Sequence, residues 1–199
     1  MKRIRRLLIQ TERPRAALTP VFCALLVLIS AGISIAYQSK QPEPVKQELR
    51  DTAWRKWINE DVAYIITDEE RAAFKALAAD EEREMFIQQF WQRRDPTPGT
   101  DTNEFKIEYF RRVAWANQRF SVLTFPGWKT DRGRIYITFG PPDEIDSHPA
   151  GDATVYPYEQ WRYRYIQGIG NDVVIEFIDP NRDGTYRMTM DPHEKELPK

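Results

Sequence analysis

Seven side chains capable of acid–base or electrostatic chemistry fall close together in the second half of the chain: Asp131, Arg132, Asp143, Glu144, Asp146, His148 and Glu159. Paired carboxylates beside a histidine supply general acid and base functions when they converge in a cleft. A hydrolase or sugar-binding enzyme built this way would use Asp131, Glu144, His148 and Glu159 as its catalytic candidates. Arg132 and Arg134 would bind substrate, with Trp128 or Trp161 as an aromatic platform. The spacing does not require convergence, and each residue has an ordinary use. Gly127 permits a positive φ, Trp128 supplies a large ring to bury, and Thr130 and Asp131 can satisfy backbone amides in a turn. A cleft holding the four candidates together would favour an enzyme. Asp131 held against backbone amides would favour structure.

Metal chemistry has one candidate. Asp179, Asn181, Asp183 and Gly184 match the start of a calcium loop, D-x-N-x-D-G, but the twelfth position, which should hold a bidentate glutamate, is Met190. The same residues make a good hairpin turn between two strands. His148 and His193 are the only histidines and form no H-E-x-x-H pattern, and the single cysteine, Cys23, excludes a cysteine metal cluster and an intramolecular disulfide. G-x-S-x-G, P-loop and G-x-G-x-x-G patterns are absent, and no cofactor is expected.

The elements positioning these residues fall into two halves. Residues 52–120 read as about three helices. Thr67 and Glu70 form a capping box for the first, with Ala73, Phe74 and Leu77 on its buried face. Asp80 is read as the cap of a second helix over 81–94 with an apolar stripe of Met85, Phe86, Phe90 and Trp91, stopped by Pro96 and Pro98. A third begins at Thr102 or Asn103 and buries Phe105, Tyr109, Val113, Ala116 and Phe120.

The second half switches to period two. Ile135, Ile137 and Phe139 alternate with Arg134, Tyr136 and Thr138; further alternations run through Trp161–Tyr165, Val173–Ile178 and Tyr186–Met190. Together these predict an α+β fold, with the helices on one face of an antiparallel sheet of about four strands. The other face would show Arg134, Arg162, Arg164, Glu176 and Arg187, either pairing across strands or binding an anion.

The segment Phe125–Asp146 carries a family resemblance. Gly127-Trp128-Lys129-Thr130-Asp131 is similar to the G-W-x-T-D signature of the GWxTD domain family, a bacterial family without an assigned activity. The likeness continues through Arg132–Ile137, Gly140–Ile145 and His148-Pro149, and covers roughly Trp54 to Pro192. It implies a fold family and no particular chemistry. The expected domain spans residues 52–192, followed by a tail over 193–199.

Charge and hydropathy place the domain. Residues 1–39 hold Lys2, Arg3, Arg5, Arg6, Arg13 and Arg15 against Glu12, which leaves residues 40–199 with an acidic balance. Acidic surfaces repel phosphate backbones, so nucleic acid is not an expected partner. The basic flank, residues 1–15, precedes the uncharged run Ala16–Tyr37. As a helix this run would extend about 33 Å, enough to cross a bilayer. Its length favours an uncleaved signal-anchor in the inner membrane, with the domain in the periplasm facing an envelope partner. Ser34-Ile35-Ala36 offers the alternative of signal cleavage and secretion. Cys23 reads as a small hydrophobe in that helix, because Pro20-Val21-Phe22 lacks the small residue a lipidation site places before its cysteine. Residues 38–51, with prolines and charges, read as an extended linker.

Overall fold

The computed structural model describes residues 43–123 and 125–197, with side chains from residue 47 onward. The uncharged run and its basic flank lie outside the described residues. Among the described residues no helix is long and apolar enough to cross a membrane.

The chain divides into two units, Met1–Lys56 and Trp57–Lys199. In the first, α1 spans Glu43–Lys56, so residues 43–51 of the expected extended linker are helical, while residues 38–42 lie outside the described residues. Its proline stands in the opening turn, where the missing amide costs nothing, and Gln47–Arg50 are good helix formers.

The second unit opens with a single π-turn, Trp57–Asp61, followed by α2 (Asp68–Ala76), α3 (Asp80–Gln92) and α4 (Glu104–Phe120). The Thr67–Glu70 capping box forms as read: the Glu70 amide donates to the Thr67 hydroxyl, and the Thr67 amide to the Glu70 carboxylate. Asp80 is not a cap. It is the first residue of α3, and the Glu82 carboxylate accepts from the Ala79 amide instead. Asn103 caps α4. Trp57, Phe74, Phe90, Trp91, Tyr109 and Phe120 are buried, whereas Ala73, Met85 and Phe105 of the expected faces are exposed.

The largest departure is residues 131–139. The expected first strand is a helix, α5 (Asp131–Phe139), capped by the Thr130 side chain and ended by Gly140 at φ 84. Ile135, Tyr136 and Ile137 are all buried, so the helix is enclosed on most sides and its apolar alternation carries no period. A short buried helix and a short strand look alike to a periodicity test. Gly140-Pro141-Pro142 therefore terminates a helix.

The four-stranded sheet is antiparallel in the order β1 (Glu144–His148), β2 (Tyr158–Ile166), β3 (Gly170–Ile178), β4 (Arg187–Thr189). Its strand count matches the expectation, with β1 taking the place assigned to residues 134–139. The inner face sets Trp161 and Phe177 against α4 and α5 through Phe120 and Tyr136, and Tyr136 stacks on Trp115 at 3.9 Å. The fold is thus α+β, helices packed with one face of an antiparallel sheet.

Candidate functional site

The signature turn is built from hydrogen bonds and close approaches. Gly127 opens the 3-10 turn Gly127–Lys129, where an added Cβ would lie 2.0 Å from the Ala116 carbonyl of α4. The Trp128 amide donates to Asn117 Oδ1 (2.9 Å), and its carbonyl accepts from the Tyr64 hydroxyl (2.7 Å). Thr130 Oγ1 donates to the Gly127 carbonyl (2.7 Å) and accepts from the Gly133 amide (3.0 Å), closing the turn and starting α5 with one side chain. Gly133 is needed because a Cβ there would meet the Gly127 carbonyl at 1.9 Å. Asp131 Oδ2 accepts the Met188 amide of the edge strand β4 (2.8 Å), while Oδ1 takes Arg134 (3.0 Å).

Arg132, the next residue, runs between the Phe120 ring (4.9 Å) and the Tyr186 ring (4.0 Å). Its guanidinium donates to Glu159 Oε1 (3.2 Å) and to the Gly184 carbonyl (3.3 Å). Glu159 also accepts from Trp161 Nε1 (3.1 Å) and Ser147 Oγ (3.3 Å). The pair is almost out of solvent, with side chains 12% and 16% exposed. It joins α5, β2 and the β3–β4 loop through one charged contact. Among the described residues Arg132 forms an ion pair with one carboxylate, and its Nε has no hydrogen-bond partner.

The sheet separates the carboxylates that an enzyme would need together. Ser147 pairs with Glu159 in register and Ile145 with Trp161, which puts Glu159 on the inner face beside Arg132. Glu144, Asp146 and His148 alternate to the outer face, against Arg162, Gln160 and Tyr158. There Glu144 meets Arg162 at 3.5 Å, and His148 meets Asp146 at 3.0 Å while stacking on Tyr158. Trp161 is fully buried and Trp128 half-buried under Lys129, so neither ring lies open as a flat platform.

The outer face differs from the arginine row expected of it. Arg134 belongs to α5, Arg162 pairs with Glu144, and Arg187 pairs with Glu194. Arg164 takes Asp143, whose carboxyl the Arg164 amide and guanidinium hold below the usual range. Glu176 is buried and paired with Gln160 and with Lys195 of the 3-10 turn Pro192–Lys195, which lies over this face. Two shallow depressions of about 180 and 240 Å³ share Gln160 and Val174 as lining.

The Asp179–Gly184 segment is a hairpin turn in this structure. Asp179, 3% exposed, turns both oxygens to the Asp183 and Gly184 amides (3.2 and 2.8 Å). Asp183 accepts the Thr185 amide, which holds its carboxyl below the usual range. Asn181 is exposed. No group of three histidine, cysteine or acidic side chains among the described residues is placed to hold a metal.

Sequence reading missed a second ionic cluster. Glu70 receives Arg94 at 2.7 Å and Arg93 at 2.9 Å, and Arg94 also donates to the Phe90 and Ile65 carbonyls. Burial alone would raise the Glu70 pKa, but the two arginines and the Thr67 amide outweigh it and hold the group at about 2. Only the capping role of Glu70 was visible as a local pattern.

The family model of the GWxTD domain matches residues 45–177. The chain belongs to this family. No curated protein and no solved structure matches it. The GWxTD turn accordingly reads as a helix-starting and sheet-bracing device, each signature residue filling a place that its neighbours define.

Proposed function

We propose that the chain is a membrane-tethered, non-catalytic interaction module of the bacterial cell envelope, its GWxTD domain in the periplasm. The observation that carries this reading is the commitment of the signature's polar groups. Asp131, Thr130 and Arg132 are engaged with Met188, Gly133, Glu159 and Gly184 inside the domain. Such groups brace the fold, and polar groups already engaged inside the domain support a structural role for the signature over a catalytic one. The basic flank and the uncharged run Ala16–Tyr37 support the tether and its orientation.

The test has two parts. A reporter that functions only in the cytoplasm, fused after Lys199, should be silent; an active reporter would reverse the orientation. Crosslinking the tagged chain in its native membrane should capture a protein partner without turnover of an envelope polymer. Polymer cleavage by the purified chain, abolished by Glu159→Gln at unchanged melting temperature, would overturn the reading and make the domain a hydrolase.

A further inference from the structure

We propose that Leu123 and Phe125 form an interfacial contact that lays this turn of the domain on an anionic bilayer surface. The inference rests on the membrane-tethered reading above.

The presentation of these residues is built into the turn that follows α4. Ser121 Oγ donates to the Asn117 carbonyl (2.6 Å) and accepts the Gly127 amide (2.8 Å). Val122 and Phe125 exchange both backbone hydrogen bonds, at 3.1 and 2.9 Å. The base is therefore pinned. At its tip Leu123 is fully exposed, with φ 51, a left-handed backbone that a leucine disfavours. Phe125 is half-exposed next to it. A leucine fully exposed in a disfavoured backbone, between two hydrogen-bonded residues, contrasts with the isolated apolar side chains common on surfaces.

The charge around the tip selects the partner. No acidic residue occurs between Glu108 and Asp131, although residues 40–199 as a whole are acidic. Arg111 and Arg112 of this stretch are paired with Glu108. Arg119 and Lys129 are exposed, and neither joins an ion pair among the described residues. Lys129 lies 5.0 Å from the half-buried Trp128 ring. Exposed apolar side chains on a stretch of chain whose unpaired charges are all cationic are the combination that settles at an anionic headgroup boundary.

Position agrees. The Tyr64 hydroxyl on the Trp128 carbonyl brings the opening of the second unit to this turn. Only residues 38–56 separate the uncharged run from that unit.

The full chain, carrying Cys23→Ser, would be labelled with a small fluorophore at Leu123→Cys or Phe125→Cys. It would be reconstituted into vesicles of phosphatidylcholine with or without phosphatidylglycerol. Ile169→Cys, on the exposed β2–β3 turn, serves as the control. Quenching by lipid-borne nitroxide should be several-fold greater at 123 and 125 than at 169, and should fall with Arg119→Glu/Lys129→Glu or without the anionic lipid. Equal quenching at all three positions would overturn the proposal. So would protection from aqueous iodide in native membranes without lipid quenching, which would place a protein there. An alkaline wash separates the tether from the contact. Protein that stays with the vesicles but is unquenched at 123 and 125 sinks the contact alone. Protein that is released by the wash yet quenched beforehand sinks the tether and keeps the contact.

Discussion

Asp131 Oδ2 accepts the backbone amide of Met188 at 2.8 Å, across 57 positions of sequence. The first residue of α5 thereby closes a backbone donor on the edge strand β4. An edge strand leaves a row of such groups unpaired, and a carboxylate accepting one of them both satisfies it and fixes where the helix lies against the sheet.

Asp131→Ala should lower the stability of the domain by about 1–3 kcal/mol, the cost of leaving such a donor without a charged acceptor. Asp131→Asn keeps an acceptor and should cost less. Urea denaturation of both variants checks the order. The exposed Arg134 contact adds little, since surface pairs contribute about 0–1 kcal/mol. An alanine variant as stable as the parent would remove the bracing role.

The two crowded glycines should be far less tolerant. Gly127→Ala and Gly133→Ala each drive a Cβ to within 2.0 Å or less of a backbone carbonyl oxygen. Neither carbonyl can withdraw without breaking α4 or the turn, so a loss beyond about 4 kcal/mol, or failure to fold, is expected. Gly168→Ala gives the contrast: its φ is 84 but no atom lies within 4 Å of the added Cβ. It should cost only about 1–2 kcal/mol of backbone strain. Thermal melts of the three variants rank them.

Glu70 sets an acid limb to stability. Its pKa is about 2 in the fold, below the usual carboxylate value of about 4.3 in an unfolded chain. A depressed pKa means the stabilisation is complete above pH 4–5 and is lost as the pH falls toward 2. At 1.36 kcal/mol per pH unit the shift corresponds to at most roughly 3 kcal/mol, and solvent screening around the half-exposed Arg93 brings the contribution down to about 1–2 kcal/mol. The urea midpoint should fall across this window, and Glu70→Gln should lower it at neutral pH and flatten the fall. A variant with the parent's pH profile would show that other carboxylates carry the limb.

The local devices were legible in the sequence and the long-range ones were not. Thr67–Glu70 and Asn103 are caps whose partners lie three positions away, and both form. β2 and β3 carry apolar inward residues and were readable from Trp161 and Phe177. β1 was invisible, because Glu144–His148 is exposed along its whole length and buries nothing to pattern. Residues 131–139 were misread because burial on most sides of α5 erased its period. The signature could be recognised as a turn, but Asp131 and Met188 are joined only by the folded topology. Likewise, the split of Glu159 from Glu144 and His148 depends on a strand register that no local spacing reveals.

Calcium should not matter to the Asp179–Gly184 turn. Both Asp179 oxygens already accept backbone amides, so a cation would have to displace them. Even a site with a dissociation constant near 1 mM would add only about 0.4 kcal/mol at 1 mM calcium. The melting temperature in millimolar calcium should therefore equal that in chelator. A rise of several degrees, abolished by Asp183→Ala, would show a metal site.

The Arg132–Glu159 pair offers a stricter test of how the domain is held together. Two nearly buried charges face each other, so deleting one strands the other in a poorly solvated place. Glu159→Leu or Arg132→Met alone should cost about 3–5 kcal/mol. Replacing both removes the stranded charge and should recover much of that loss, because buried pairs often do no better than apolar groups of similar volume. Glu159 also accepts Trp161 Nε1, and Arg132 holds the Gly184 carbonyl, so recovery should be incomplete. The coupling energy from the four urea curves measures the pair itself. If the double variant is as unstable as the sum of the singles, the two residues act independently, and the bond between α5 and β2 is not what holds Arg132 in place.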